Sequence, residues 1–263
     1  MSDTFELQNL VVRYGSHTAV DGVDAVVAAG AITAIVGPNG CGKSTLLRSM
    51  ARLLAPSDGN VLLGGDDVRS IPPKQFATRV ALLPQAPTAP DNLTVIDLVS
   101  RGRDPHRRWF DQWSTPDEAI IVESLERTGM TEFAERPLES LSGGQRQRAW
   151  IALALAQQTQ VLLLDEPTTY LDVAHQIEVL DTVSALQADN GVTVVMVMHD
   201  LSMAARYADH LIAMREGQLV AAGTVSEVVT PAVLREVFGV ECRVIDDPDS
   251  GRPVVIPGAL VQR

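Results

Sequence analysis

Gly37-Pro38-Asn39-Gly40-Cys41-Gly42-Lys43-Ser44 stands between an apolar run, Ala31 to Val36, and a helix-forming run, Lys43 to Leu54. The stretch reads GxxxxGK[ST] in a strand-loop-helix setting, and each part of that pattern has a physical task. The glycines let consecutive backbone N–H groups turn toward one anion. The helix beginning at Lys43 brings partial positive charge to the same point. Lys43 carries an ammonium long enough to meet the β- and γ-phosphates of a nucleotide, and Ser44 offers a hydroxyl to magnesium. The segment, with Thr45 in the first helical turn, reads as a phosphate cradle in which Cys41 is a small residue that fills space.

Upstream, Phe5 to Tyr14 and Val20 to Ala28 alternate as strands, set off by the turn signals Gly15-Ser16 and Ala29-Gly30. Downstream, Asn60 to Leu63 and Arg79 to Leu83 read as strands, and the pattern is helical from about Thr94 to Gln158. Val161 to Leu164 and Val192 to Met198 are apolar throughout, with a helical run, Val173 to Ala188, between them. That alternation predicts right-handed βαβ units in a parallel sheet covered on both faces. A helix near Leu201 to Tyr207 follows, then a hairpin turning at Glu216-Gly217, then a helical run from Ser226 to Phe238. The expected fold is α/β over a single domain, 1–263. It has a P-loop NTPase core whose mixed β-sheet combines a parallel centre with N-terminal antiparallel strands. A helical subdomain is inserted over 86–158, and 240–263, with Asp246 to Gly251, is expected as a loose turn and tail.

Composition narrows the function. With 46% hydrophobic residues the chain can bury a sizeable core, and its net charge of −12 argues against a nucleic-acid partner. Cys41 and Cys242 form neither a disulfide framework nor a CxxC metal pattern. No stretch approaches the roughly 18 apolar residues that span a bilayer, and Met1 to Leu10 lacks the basic start and apolar core of an export signal, so a cytoplasmic location is expected.

Val161-Leu162-Leu163-Leu164-Asp165-Glu166 ends an apolar strand in two carboxylates at the edge where α/β sheets place their ligands. Asp165 suits the magnesium shell and Glu166 the attacking water. The segment that separates this protein from other phosphate-loop NTPases is Leu141-Ser142-Gly143-Gly144-Gln145. Ser142 and the two glycines at a helix start make a second anion site, useful only if it closes over nucleotide held elsewhere.

LSGGQ a short way before the acidic strand is the ABC signature, and the chain resembles the ABC superfamily over nearly its whole length. The resemblance implies ATP and Mg2+ as cofactors. It assigns nucleotide contacts to Tyr14, which stacks on adenine, to Gly37 through Thr45, to Leu141 through Gln145, and to Asp172 in the loop that reaches the opposite subunit. Glu166, His199, Gln85 and Lys43 are the implied catalytic set, and Ser44, Gln85 and Asp165 the implied magnesium set. Because one chain cannot close its own site, two copies would sandwich ATP across a two-fold axis. A transmembrane permease would receive the stroke, and a substrate-binding protein would take part indirectly, at the cytoplasmic face of a bacterial inner membrane.

Within the superfamily, GPNGCGKSTLLR from Gly37, LSGGQRQRAWIA from Leu141 and PTTYLDVAHQ from Pro167 resemble ATPases of ferric-siderophore, haem and cobalamin importers, most closely the siderophore group. Arg101-Gly102-Arg103-Asp104-Pro105-His106 resembles a segment of that group, although Asp104 stands where an aromatic is usual. Arg101 to Arg108 reads equally as a solvated basic loop and as a permease or membrane-surface contact. A soluble ABC ATPase of translation or DNA repair is the competing class. The single nucleotide-binding unit and the acidic charge both speak against it.

Overall fold

Strand β1 (Phe5–Tyr14) turns at Gly15 into β2 (His17–Val26), an antiparallel hairpin in which Tyr14 faces His17 across the register. Chain pairing carries β2 back to His17, three residues earlier than apolar content alone predicts. The computed structural model describes residues 4–107, 115–169 and 171–261. Strand β3 (Ile32–Val36) is buried at every position and leads through the glycine loop into helix α1 (Lys43–Met50). The helix ends earlier than Leu54 because Arg52 takes a left-handed φ of 63°, and its guanidinium donates to the Ile71 carbonyl at 2.5 Å. Strands β4 (Asp58–Leu63) and β5 (Asp66–Asp67) then complete an antiparallel sheet in the order β2-β1-β4-β5.

The chain divides into two compact units, Met1–Ile71 with Thr193–Arg263, and Pro72–Val192. The second contains helix α2 (Pro73–Ala77), β6 (Val80–Leu83), α3 (Val95–Ser100), a 3-10 turn (Arg101–His106), α4 (Thr115–Arg127), α5 (Gly143–Ala156), β7 (Val161–Asp165) and α6 (Val173–Asn190). Strands β6 and β7 pair in parallel, Val80 opposite Val161 and Leu83 opposite Leu164. Helices α3, α4 and α5 close on a core of their own, which includes Val95, Leu98, Ile121, Leu125, Ala149 and Ala152. Helix α6 runs two residues beyond Ala188 and stops at Gly191, whose φ of 63° is the left-handed cap that a glycine takes without strain.

Returning to the first unit, β8 (Thr193–Val197), α7 (Leu201–Tyr207), β9 (His210–Arg215) and β10 (Gln218–Thr224) follow. Strand β3 lies between β8 and β9, parallel to both, and β10 pairs antiparallel to β9. The helical run expected from Ser226 to Phe238 is broken into α8 (Val225–Val228) and α9 (Pro231–Phe238). Pro231 bars Thr230 from helical backbone, and Thr230 instead caps α9 by accepting from Val233 N–H.

The C-terminal segment expected as a loose tail is an antiparallel pair, β11 (Val240–Asp246) and β12 (Pro253–Leu260), turning around Asp247 to Gly251. The alternation in Val240-Glu241-Cys242-Arg243-Val244 is the local signal for the first of these strands. Arg252 fastens the pair to α7 by donating to the carbonyls of Ala205 and Ala208, where the helix leaves acceptors unmatched.

The basic segment at Arg101 is partly interior. Arg103 is buried, pairs with Asp117 at 2.8 Å and donates to Ala156 O at 2.8 Å, which ties the 3-10 turn to α4 and to the end of α5. A Cβ on Gly102 would lie 2.5 Å from Leu153 O, so the turn can approach α5 only as glycine. Arg101 is exposed, and Arg108 lies outside the described residues. Replacing Arg103 by Ala should lower unfolding free energy by about 3–5 kcal/mol, the usual result of removing one partner from a buried ion pair. Urea denaturation against the parent protein measures it.

Candidate nucleotide site

Buried β3 delivers its last residue into a loop that has little room for side chains. At Gly37, with φ of 149°, a Cβ would sit 2.2 Å from Met214 O and 2.8 Å from Cys41 Sγ. Gly42, with φ of 105°, has Ala19 O in the same place at 2.2 Å. Gly40 also has positive φ, 77°, but faces open space, so it is needed for its backbone angle alone. Cys41 is buried, and burial raises its thiol pKa against the opposing pull of Lys43, which keeps it protonated and poorly reactive.

Lys43 lies inside the loop rather than in solvent. Its side chain is buried, and Nζ donates to Gly37 O and Pro38 O, both at 2.9 Å, so the ammonium braces the cradle while remaining at its centre. Helix α1 begins at Gly42 with no side-chain cap, which leaves its first-turn donors to an anion. Ser44 and Thr45 occupy that turn half-buried, with Asn39 exposed at the loop's tip and Pro38 half-buried beside it.

His199 follows β8 at its carboxyl end and is exposed. The preceding residue, Met198, donates its N–H to Ile35 O at 3.0 Å, so His199 leaves the sheet beside the strand that feeds the phosphate loop. Asp200 caps α7 by accepting from Ser202 and Met203 N–H at 2.7 and 3.1 Å, which fixes the turn carrying the histidine. Tyr14 ends β1 with its ring half exposed, on the β1–β2 hairpin that packs against α1.

The second unit carries the acidic strand end and the serine-glycine helix start. Asp165 ends β7 almost fully buried, and Glu166 leaves the strand with φ of 56°, an uncommon conformation for glutamate. The Glu166 carboxylate accepts from Gln85 Nε2 at 2.5 Å and from Thr169 Oγ1 at 3.0 Å. Gln85 and Glu166 are thus brought together from the two parallel strands β6 and β7. Thr169 lies in the segment that begins at Pro167, three residues after Glu166, and the sequence alone gives it no role of its own.

Ser142 starts α5 as a reciprocal cap: its hydroxyl accepts from Gln145 N–H at 3.3 Å and its N–H donates to Gln145 Oε1 at 3.0 Å. Leu141 is buried, while Ser142 and Gly143 are exposed. Asp172 caps α6 by accepting from His175 N–H at 2.9 Å, and His175 Nδ1 lies 2.7 Å from the same oxygen. Those bonds, the backbone one first, hold the Asp172 carboxyl below the usual carboxylate range. Tyr170, within the segment read from Pro167 to Gln176, lies outside the described residues.

A phosphate loop after a buried parallel strand, with a capped serine-glycine helix start elsewhere in the chain, defines a nucleotide-binding protein of the P-loop class. The chain belongs to the ABC transporter family, whose model matches residues 20–169. It is 50% identical over 257 residues to the petrobactin import ATP-binding protein FpuD of Bacillus anthracis, covering 98% of this chain and 94% of the relative. It is 46% identical over 250 residues to the ferric enterobactin transport ATP-binding protein FepC of Escherichia coli (strain K12), covering 95% and 92%. Among solved structures it resembles a metal-chelate type ABC transporter in an inward-facing conformation, at 27% identity and a TM-score of 0.84, covering 98% of each chain. No helix among the described residues is long and apolar enough to cross a membrane.

Replacing Lys43 by Ala removes the one ammonium buried in the loop and its two hydrogen bonds to the loop carbonyls. An ammonium hydrogen-bonded to phosphate contributes roughly 1.5–3 kcal/mol, so ATP affinity should fall about tenfold or more by titration calorimetry. Unchanged affinity would place the phosphates elsewhere.

Proposed function

We propose that this chain is the ATP-hydrolysing subunit of a ferric-siderophore importer, working as a two-fold ATP-sandwich dimer on a transmembrane permease. The observation that carries the hydrolytic reading is Glu166, held in left-handed backbone at the end of β7 with its carboxylate bound by Gln85 and Thr169. A carboxylate fixed in this way can orient water and accept its proton. The siderophore reading is supported by two relatives at 50% and 46% identity, whose names give petrobactin import and ferric enterobactin transport.

Glycine-loop N–H groups and Lys43 bind the phosphates, and Tyr14 stacks on the adenine. Water oriented by Glu166 attacks the γ-phosphorus, the bond to the β–γ bridging oxygen breaks, and the products are ADP and phosphate. Lys43 and His199 donate hydrogen bonds to the charge that builds on the transferring group. The Ser44 hydroxyl and the Asp165 carboxylate, with Gln85, are hard oxygen donors of the kind Mg2+ takes alongside phosphate, and the ion would offset phosphate charge. Leu141 to Gln145 and Asp172 serve the nucleotide of the partner copy. ATP favours the closed dimer and its products do not, so hydrolysis becomes a conformational stroke. The permease receives the stroke at the cytoplasmic face of the bacterial inner membrane and delivers cargo handed over by a substrate-binding protein. Nucleic acid has no part in this cycle, in keeping with a net charge of −12.

Glu166→Gln should keep ATP affinity and lower turnover by at least about a hundredfold, the usual weight of a general base, while ATP-bound dimers accumulate on size exclusion. A variant that stays monomeric and turns over normally would overturn both assignments.

Cells lacking the gene should lose accumulation of radioactive iron supplied as ferric siderophore, and the wild-type gene but not its Glu166→Gln form should restore it. Equal iron uptake in all three strains, with cobalamin or haem uptake lost instead, would move the cargo to one of those ligands.

A further inference from the structure

We propose that His175 is a positioning residue that locks the loop Leu171–Asp172 onto the start of α5, so that both segments meet a partner copy's nucleotide as one rigid piece. The inference rests on the sandwich arrangement proposed above and adds to it a residue to which no role has been assigned.

The lock is made by contacts within the second unit. The Asp172 Oδ1 atom binds His175 twice, through its backbone N–H at 2.9 Å and through Nδ1 at 2.7 Å. An ionised carboxylate only accepts, so Nδ1 carries the hydrogen and the ring is held in one orientation. In that orientation the opposite edge of the ring covers Gly144: a Cβ there would lie 2.6 Å from His175 Cδ2, 2.9 Å from Cγ and 3.3 Å from Cβ. Beside it, a Cβ on Gly143 would touch Leu171 Cδ2 at 3.9 Å. The loop itself is fastened from behind, because Gln176 Nε2 donates to Leu171 O at 3.0 Å.

Gly144 therefore has a reason other than backbone freedom, whereas a Cβ on Gly143 would make only an ordinary contact. Neither appears among the positive-φ residues, and both lie in regular helix. Gly144 is buried at an otherwise exposed helix start because the imidazole lies over it. The atoms that would collide with a side chain at 144 include the ring's root, which cannot swing aside as a flexible tip can. Ring and glycine thus form a fitted pair, with the Asp172 carboxylate setting the ring angle.

The test uses full-length protein in the Glu166→Gln background, with His175→Ala and His175→Phe added singly. Calorimetry reads ATP affinity, analytical ultracentrifugation reads ATP-dependent dimerisation, and urea unfolding reads stability. His175→Ala should bind ATP within twofold of the parent and dimerise at least tenfold more weakly. His175→Phe keeps a ring over Gly144 and loses the bond to Asp172, so it should fall between the two. If the Ala variant does not fold, the Phe variant decides by the same comparison. A parent that does not dimerise removes the sandwich and the lock's purpose together. A parent that dimerises while the variants match it removes the lock alone.

Discussion

Backbone crowding around the phosphate loop is the constraint from which the first unit is built. Gly37 and Gly42 each have a carbonyl oxygen where a side chain would begin, from Met214 on β9 and from Ala19 on β2. The loop is consequently wedged between two different sheets. Lys43, turned inward to the Gly37 and Pro38 carbonyls, closes the same hollow from within. A buried cation surrounded by carbonyl oxygens and a helix start is electrostatically prepared for a polyanion before one arrives.

The second unit solves a different problem. Strand β7 must release one carboxylate into the interior, at Asp165, and turn the next one out within a single residue. Glu166 leaves the strand in left-handed backbone, at a conformational cost of order 1–3 kcal/mol. Hydrogen bonds from Gln85 and Thr169 offset part of the cost and fix where the carboxylate points. Further along, the 3-10 turn at Arg103 binds the far end of α5 to α4, so the helix is anchored at the end opposite Ser142.

Much of this was legible in residue order, because the chemistry needs particular side chains next to particular backbone. A glycine loop after an apolar run announces a strand-loop-helix, and β3 and α1 begin where that reading puts them, within a residue. Strands β1, β7 and β8 lie within a residue of their apolar runs for the same reason. What could not be read depended on distant partners. The end of α1 is set by Arg52 reaching Ile71, and the hairpin β11–β12 by pairing across an acidic turn and by Arg252 meeting α7. The basic residue at 103 looked like surface because its counter-ion, Asp117, is fourteen positions away. Gly144 reads in the sequence only as part of an anion site, while the space beside it is taken by the His175 ring.

The reciprocal cap at Ser142 leaves that hydroxyl with a second capacity. Toward the helix the oxygen acts as acceptor, using a lone pair on the Gln145 N–H, and a hydroxyl also owns one hydrogen to give. The atom can hold the helix start closed and still offer its proton outward to an oxyanion, without a choice between the two. Alanine would lose both tasks and asparagine would keep the cap while changing the donor's reach. Among side chains that cap helices well, only a hydroxyl serves two neighbours of opposite polarity from one atom.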